Sequence, residues 1–280
     1  MHNNASLYQE AIENIRSRSQ GLASQPLYDL TINFHPDRLT AHSTPLLAAM
    51  AEDLRIKSQF ETGTSNGGLS ANGGARWRWE KRVFGGVYDH ALNTQRPKYG
   101  ALNYQCLDVG ASPRFGSAHF RLRSHMHQRA TFCYPDSYFE PEHFASSEYI
   151  QPLIDRAQQD QHDALDAYIE AHFHGDIDLA IDVEALVLDP VFRDTQVEVL
   201  ARRLPVKLEW HSGFKLSVAE LSERTDYRGE KYVDLAKEIA QNQILTPDLL
   251  GFALQNDAYE AQDVKKVWHY LARFGYQHWS

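Results

Sequence analysis

The chain has 280 residues, of which 42% are hydrophobic and 23% are charged, so its composition is that of a globular protein large enough to bury a core. Its 28 Lys and Arg residues against 37 Asp and Glu give a formal net charge of −9, which argues against general nucleic-acid binding. Only two cysteines are present, Cys106 and Cys133, too few for a disulfide framework or a thiolate zinc site.

Neither a membrane-spanning segment nor a secretory signal is predicted. The longest apolar stretches are far shorter than the roughly 20 residues that a membrane helix needs. The first ten residues have neither a basic start nor an apolar stretch, so we expect no cleavable signal peptide. We therefore predict no membrane association, and a protein that is cytoplasmic or is exported by a specialised secretion system.

The first predicted elements are a helix, a strand and a second helix. Apolar residues recur at roughly helical spacing within residues 1–27. In residues 30–35, Leu, Ile and Phe alternate with polar residues, which is typical of a half-buried strand. Thr44 and Pro45 then form a favourable helix start, with Thr as the N-cap and Pro at the first helical position.

The middle of the chain is predicted to consist of loops and short strands. Glycine pairs interleaved with tryptophans make residues 56–88 a loop-rich segment. Within it, Trp77-Arg78-Trp79 is compatible with a small basic-aromatic patch for RNA or an acidic protein. The next predicted elements are strands over 99–106, 117–122 and 130–134, and a polar helix over 147–166.

The final third begins with strands and ends with helices. Its predicted elements are a strand over 168–175, a short helix over 183–188, a last strand over 206–210, and helices over 229–242, from Thr246-Pro247 onward and over 257–274. These elements indicate an α+β protein with a mixed, mostly antiparallel sheet. We divide the chain into an N-terminal helical segment (1–27), a core (28–214) and a C-terminal helical extension (215–280).

Two segments have the composition of an anion or nucleotide site. Arg38 follows a strand and a proline turn, where its planar guanidinium can bind a phosphate or carboxylate. Taken alone, a surface arginine paired with Asp37 or another carboxylate is the more ordinary interpretation. Thr62, Thr64 and Ser65 lie beside glycines, so their hydroxyls and backbone donors are sterically open to a phosphate or ribose. The alternative for that segment is an ordinary turn.

The strand over 168–175 carries the strongest chemical pattern. Tyr168, Glu170, His172 and His174 share one face, because alternate residues of a strand point the same way. The His-x-His spacing is compatible with a metal site, but no third ligand has a recognisable spacing. The glutamate is equally suited to stabilising positive charge on a sugar during glycosyl transfer. A polar sheet face without catalytic function is the remaining alternative.

Several of these motifs, in this order, resemble a known family. They are Phe34-His35-Pro36-Asp37-Arg38, residues 59–67, residues 98–103, residues 113–117, residues 129–132, Tyr168-Ile169-Glu170-Ala171 and His174-Gly175. The set resembles a bacterial domain family long described as of unknown function, which we associate with the mono-ADP-ribosyltransferases. That group includes secreted effectors, or toxins, that modify host ubiquitin on threonine. The resemblance covers about residues 28–214 and implies an ADP-ribosyltransferase-like fold.

The resemblance implies roles for individual residues. Arg38 would hold the phosphates and nicotinamide ribose of NAD, the co-substrate, and Thr64 and Ser65 would brace the pocket. Glu170 would be the catalytic glutamate, with Arg38 and Ser65 as its catalytic partners. Tyr99 or Phe115 would stack on nicotinamide. The full implied NAD-binding set is His35, Arg38, Thr62, Thr64, Ser65, Tyr99, Gly100, Asn103 and Phe115, with no metal.

Two departures from the family pattern bear on the reaction. The usual Ser-Thr-Ser is here Thr-Gly-Thr-Ser, so the assignment of the supporting hydroxyl stays open. Relatives that modify arginine carry a second Glu or Gln where this chain has Tyr168, which implies a different acceptor group. Glu184 and Glu209 are rival catalytic carboxylates, since both lie near the ends of predicted elements.

Three hypotheses follow. The first is a mono-ADP-ribosyltransferase with a protein acceptor, of which host ubiquitin is one that the resemblance implies. The second is a hydrolase, either an NAD glycohydrolase or a nuclease that uses His172 and His174. The third is a non-catalytic binding module whose contact surface is the Gly- and Trp-rich segment 67–86.

Overall fold

The computed structural model describes residues 4–25, 28–64, 68–70, 73–255 and 259–279. The α-helices of these residues are α1 (Asn4–Arg16), α2 (Leu46–Asp53), α3 (Gln59–Thr62), α4 (Ala75–Val83), α5 (Gln151–Gln159), α6 (Leu179–Asp182), α7 (Gln196–Ala201), α8 (Val218–Ser222), α9 (Glu230–Ile239), α10 (Pro247–Gln255) and α11 (Ala261–Phe274). The strands are β1 (Leu30–Phe34), β2 (Arg55–Ile56), β3 (Lys98–Leu102), β4 (Ala118–Leu122), β5 (Ala130–Tyr134), β6 (His143–Ser146), β7 (Ile169–Phe173), β8 (Ile177–Asp178), β9 (Val183–Leu188), β10 (Lys207–Trp210), β11 (Leu216–Ser217) and β12 (Ile244–Leu245).

Within the described residues, eight strands form one sheet in the order β10-β9-β4-β1-β3-β7-β5-β6. All neighbouring strands are antiparallel except β9 and β10. The mixed, mostly antiparallel sheet with flanking helices is therefore confirmed. β7 lies between β3 and β5, so Glu170 is on an inner strand with Ala101 and Cys133 as its cross-strand partners.

The two faces of the sheet differ in chemistry. One face is apolar and forms the largest hydrophobic core, with Leu30, Phe120, Phe132 and Phe173 among its fully buried side chains. The other face carries polar side chains from adjacent strands: Thr31, Asn33, Tyr99, His119, Arg121, Thr131, Glu170 and His172. A polar sheet face that is covered rather than solvated requires hydrogen-bond partners, and these build the site described below.

Different elements cover the two halves of the polar face. Around β5 and β7, α1 and α4 pack a second cluster that includes Ile15, Trp79 and Phe84. A third cluster joins the C-terminal helices to Leu107 and Val109, which precede β4. Trp268 of α11 donates from Nε1 to the carbonyl oxygen of Pro113 at 3.0 Å and fixes the helix on this loop.

The strand predictions for β1, β3, β4, β5, β7 and β10 are confirmed, with shifts at the ends. The helix predicted over 183–188 is wrong, because these residues form the inner strand β9 between β4 and β10. The predicted helix over 147–166 is too long, since α5 covers Gln151–Gln159. Pro45 rather than Thr44 occupies the N-cap of α2.

The loop predicted over residues 56–88 contains the helix α4. Trp77 and Trp79 of this helix are buried, so the segment does not present the aromatic patch that we considered for RNA. Among the described residues, none of the helices combines the length and apolar character needed to cross a bilayer.

Candidate active site

Glu170 is the centre of the polar network. Its side chain is only 7% exposed, and its two oxygens have different partners. Oε2 accepts a hydrogen bond from the Ser137 hydroxyl at 2.9 Å and from the Ser137 amide at 3.3 Å. Oε1 accepts from Nε2 of His172 at 3.1 Å and lies 4.0 Å from the Arg76 guanidinium.

These partners keep the carboxylate ionised. Burial alone would raise the pKa of Glu170, but the His172 hydrogen bond, the Arg76 charge and the Ser137 hydrogen bond together hold it below its ordinary value. A buried, fixed negative charge on a sheet strand is consequently available before any substrate binds.

Arg76 reaches the site from α4. Its guanidinium lies 4.3 Å from the centre of the Tyr99 ring and donates to the Ser137 hydroxyl at 3.1 Å. The Tyr99 hydroxyl in turn donates to Glu80 at 2.9 Å, and Arg96 donates to the other oxygen of Glu80 at 2.5 Å. This buried ion pair anchors α4 on the sheet, so the position of Arg76 depends on the whole helix.

A chain of hydrogen bonds leads from Glu170 to Tyr88. It joins Glu170 to Nε2 of His172 at 3.1 Å, Nδ1 of His172 to Thr131 Oγ1 at 3.3 Å, Thr131 Oγ1 to Nε2 of His174 at 2.9 Å, and Nδ1 of His174 to the Tyr88 hydroxyl at 2.7 Å. Because the ionised Glu170 can only accept, a neutral His172 donates from Nε2 and accepts from Thr131, His174 donates to Thr131, and Tyr88 donates to His174. Burial holds the pKa of His174 well below its ordinary value, so this ring is neutral.

A second carboxylate lies close to Glu170. Asp136 caps the short 3₁₀ helix Ser137–Phe139 through the amide of Tyr138 and is hydrogen-bonded to the Tyr168 hydroxyl. Burial and the neighbouring Glu170 charge raise the pKa of Asp136 despite these donors. The pKa of Asp136 is thus raised while the pKa of Glu170 is lowered, as in sites where one carboxyl group stabilises charge and the other acts as a base.

Three metal-type ligands also meet here. The ligand atoms of Cys133, Glu170 and His172 lie within 4.8 Å of one another, the one such group found among the described residues. Burial strongly raises the pKa of the Cys133 thiol, whereas thiolate is the form that binds metals. The His172 nitrogen of the group is already donating to Glu170, so we assign the cluster to positioning the carboxylate.

The predicted residues Arg38 and His35 lie near the C-terminal helices, while the partners of Glu170 come from α4, β7 and the turn after β5. The His35 ring contacts Trp268 edge-on at 4.8 Å. Burial, followed by the charges of Arg38, His269 and Lys265, lowers the pKa of His35, so these groups surround it. The turn that carries Arg38 also contacts α10, because Gln255 donates to the Asp37 carbonyl oxygen at 3.0 Å.

Thr62 and Thr64 lie at the end of α3, with their hydroxyl oxygens 2.6 Å apart, and Ser65 lies outside the described residues. Gly100 is in β3, where an added Cβ would lie 2.3 Å from the Thr31 carbonyl oxygen, so close strand packing requires a glycine. Asn103 exchanges hydrogen bonds of 2.9 Å with the backbone of Leu107 and stabilises the turn after β3.

The aromatic candidates differ in accessibility. Phe115 is 41% exposed and meets Tyr168 edge-on, with ring centres 5.6 Å apart. Tyr99 is half-buried, and Arg76 covers one face of its ring.

The rival carboxylates Glu184 and Glu209 both pair with Arg121, at 3.3 and 2.9 Å. Glu209 and Arg121 also line a cavity of about 280 Å³ on the polar face, together with Asn103, Cys106 and His119. Neither glutamate contacts the residues around Glu170 described above.

Sequence patterns did not identify Arg76, Asp136 or Ser137. Arg76 lies in a segment predicted to be a loop, where no helix face could be defined. Asp136 and Ser137 follow a strand as Pro-Asp-Ser, which is the one local signal present, because Asp after Pro is typical of a capped turn.

The sequence matches a protein family over most of its length. A family model described as "Protein of unknown function (DUF3626)" matches residues 29–151 and 143–274. The chain belongs to this family. Its matched residues include Glu170, Asp136, Arg76 and the C-terminal helices. No curated protein matches the chain.

Proposed function

We propose that the protein is a mono-ADP-ribosyltransferase that cleaves NAD and transfers ADP-ribose to a protein acceptor. The observation that carries this proposal is the fixed charge of Glu170, buried on an inner strand and held ionised by His172, Arg76 and Ser137. A mostly antiparallel sheet with flanking helices supports the finer proposal of an ADP-ribosyltransferase-like fold.

The fixed charge suits cleavage of the nicotinamide glycosidic bond. The bond between C1 of the ribose and the nicotinamide nitrogen breaks, and its electron pair leaves with neutral nicotinamide. The ribose then has oxocarbenium character, which a preorganised carboxylate stabilises without reorienting. Ser137 and His172 already hold the Glu170 oxygens in place.

Asp136 is suited to the transfer half of the reaction. An acceptor hydroxyl that attacks C1 must lose its proton as the new C–O bond forms, and a carboxylate with a raised pKa accepts a proton more readily than an ordinary one. We assign Asp136 as this base. A hydroxyl acceptor, such as a threonine of ubiquitin, agrees with Tyr168 in place of the second acidic residue.

Phe115 is the ring that we assign to nicotinamide. Phe115 is 41% exposed and its ring contacts Tyr168, two residues before Glu170, whereas one face of Tyr99 is already covered by Arg76. The nuclease alternative is weaker, because the side chains of His172 and His174 are both 0% exposed and bonded within the network.

Labelled NAD tests the proposal when the protein is incubated with a eukaryotic lysate that contains ubiquitin. We expect label in a protein band, and we expect Glu170→Gln to reduce it by about 100-fold, the typical loss for one preorganised electrostatic group. Glu209→Gln is the matched control and should leave labelling unchanged. Asp136→Asn should slow transfer more than it slows nicotinamide release.

The outcomes separate the hypotheses. Nicotinamide release that depends on Glu170 but labels no protein would identify a glycohydrolase. Labelling that persists in Glu170→Gln and disappears in Glu209→Gln would move the catalytic role to Glu209. Absence of NAD consumption by the folded protein would reject the transferase.

A further inference from the structure

Four cationic side chains from three separate segments converge beside the Glu170 site. We call them the basic cluster: Arg114, Arg228, Lys265 and Lys266. Arg114 lies in the 3₁₀ helix Pro113–Phe115, Arg228 precedes α9, and the two lysines are on α11. The charges of all four lower the pKa of His269, whose buried ring lies one turn further along α11, so this ring lies among them.

Carboxylates do not neutralise the basic cluster. Among the described residues, Asp166 is the carboxylate that forms ion pairs with it, in contact with Arg114 and 3.7 Å from Arg228. The neighbouring Asp163 is engaged by Arg273 at 2.8 Å. Lys265 and Lys266 form no ion pair within the described chain, so the cluster holds four cations against one carboxylate.

The lysines are held in mutual repulsion. Burial and the charge of Arg114 lower the pKa of Lys265, and burial and the charge of Arg228 lower the pKa of Lys266. Both side chains are half-buried, so solvent does not fully screen these charges. Four like charges kept together with the single counter-charge of Asp166 are unfavourable until an anion binds.

The buried ring of His269 also indicates a ligand at the basic cluster. Its side chain is 1% exposed, and neither ring nitrogen has a hydrogen-bond partner among the described residues. Burial and the surrounding cations lower its pKa to about 2, so the ring is neutral and does not add to the charge. Buried polar groups are nearly always satisfied, so an unpaired imidazole among four cations indicates a site for a hydrogen-bonding ligand.

The basic cluster adjoins the proposed active site. Arg114 immediately precedes Phe115, whose ring contacts Tyr168, and Asp166 lies four residues before Glu170. Lys265 of the cluster and Arg38 at the end of β1 both lower the pKa of His35, whose ring contacts Trp268 of α11 edge-on at 4.8 Å.

We propose that the basic cluster binds the diphosphate group of a dinucleotide, with Lys265, Lys266, Arg114 and Arg228 contacting phosphate oxygens. The assignment of the dinucleotide to NAD rests on the proposed function, whereas the affinity for a diphosphate does not. The C-terminal helices thereby supply part of the substrate site rather than an independent unit.

Calorimetric titration of the full chain with inorganic pyrophosphate, and separately with ADP-ribose, tests this site. We expect Lys265→Gln/Lys266→Gln to weaken binding of both by about tenfold or more, because charge-assisted hydrogen bonds contribute more than neutral ones. Lys237→Gln, which removes an exposed lysine of α9, is the matched control and should bind like the wild type. The double variant should melt no lower than the wild type, since it removes repulsion.

The result also separates this proposal from the proposed function. Lysine-dependent binding of pyrophosphate confirms the site even if NAD is not cleaved. Binding of pyrophosphate and ADP-ribose that is unchanged in the double variant overturns it, whether or not transfer is observed. Lysine-dependent binding of a short RNA without binding of pyrophosphate also overturns it, because the cluster would then recognise a polymer.

Discussion

At the scale of single residues, the geometry around Glu170 assigns separate tasks to neighbouring side chains. Ser137 and His172 fix the two oxygens, whereas Arg76 contributes charge from α4 at 4.0 Å. Because Arg76 acts on Glu170 through its charge, its effect should be visible in the pH dependence of the proposed reaction.

If the proposed NAD cleavage is measured as a function of pH, replacing Arg76 is expected to shift the acidic limb of the profile. Glu170 has a depressed pKa, so activity is lost as pH falls through that value, and removal of Arg76 raises it. We expect Arg76→Gln to move the limb upward by about one pH unit, the low end for a nearby opposite charge. The exposed Arg78 provides the control variant Arg78→Gln, and an equal shift in both would contradict the assignment.

At the scale of the elements, predictions from sequence succeeded where periodicity was unambiguous. The alternation in 30–35 and 168–175 gave β1 and β7, and with them the shared face of Tyr168, Glu170 and His172. The prediction of a helix over 183–188 was wrong because Val-Glu-Ala-Leu-Val-Leu is rich in helix formers. Only pairing with β4 and β10 makes this segment the strand β9.

The candidate site was only partly predictable for the same reason. Glu170 follows from a local pattern, but Arg76 and Asp136 reach it by tertiary packing of α4 and of the turn after β5. No local signal specifies which distant cation or carboxylate will face a strand residue.

The packing of α10 against the turn after β1 depends on one glycine. An added Cβ at Gly251 would lie 1.7 Å from the Asp37 carboxylate, far inside van der Waals contact. We expect Gly251→Ala to lower the free energy of unfolding by about 1 kcal/mol, because an overpacking cost of about 1–3 kcal/mol outweighs the gain of up to about 1 kcal/mol from alanine inside a helix. Chemical denaturation checks this, and Asp37→Ala in the same chain should recover most of the loss; additive losses would contradict the proposed contact.

At the scale of the whole molecule, the helical extension and the sheet share structural elements. Leu107, Val109 and Leu165 come from the predicted core but pack with Trp268 and its neighbours. The family match likewise continues through residue 274. The boundary that we predicted at residue 214 stays a prediction, and both observations favour a domain in which the extension is integral.

The contribution of Asp37 to global stability is expected to fall as pH rises. Burial raises the pKa of this carboxyl to about 6, above its unfolded value of 3.8. The resulting stabilisation is fully present below pH 3.8 and is lost as pH rises through about 6. Asp37→Asn should therefore be more stable than the wild type at pH 8, by up to about 3 kcal/mol, with the difference vanishing near pH 4. Denaturation at the two pH values measures this, and a pH-independent difference would assign the effect to packing.

The chain of hydrogen bonds from Tyr88 to Glu170 connects the proposed reaction centre to a buried phenol outside the set of residues that contact the carboxylate. Every member between the two ends can both give and receive a proton, so the direction of the whole chain is set by what Glu170 accepts. A change at the carboxylate, such as an engaged ribose hydroxyl, is thus communicated to the phenol of Tyr88, whose pKa burial already raises. A fluorinated tyrosine at this position would report occupancy of the proposed site through the fluorine NMR signal of a side chain three hydrogen-bonded residues away from Glu170.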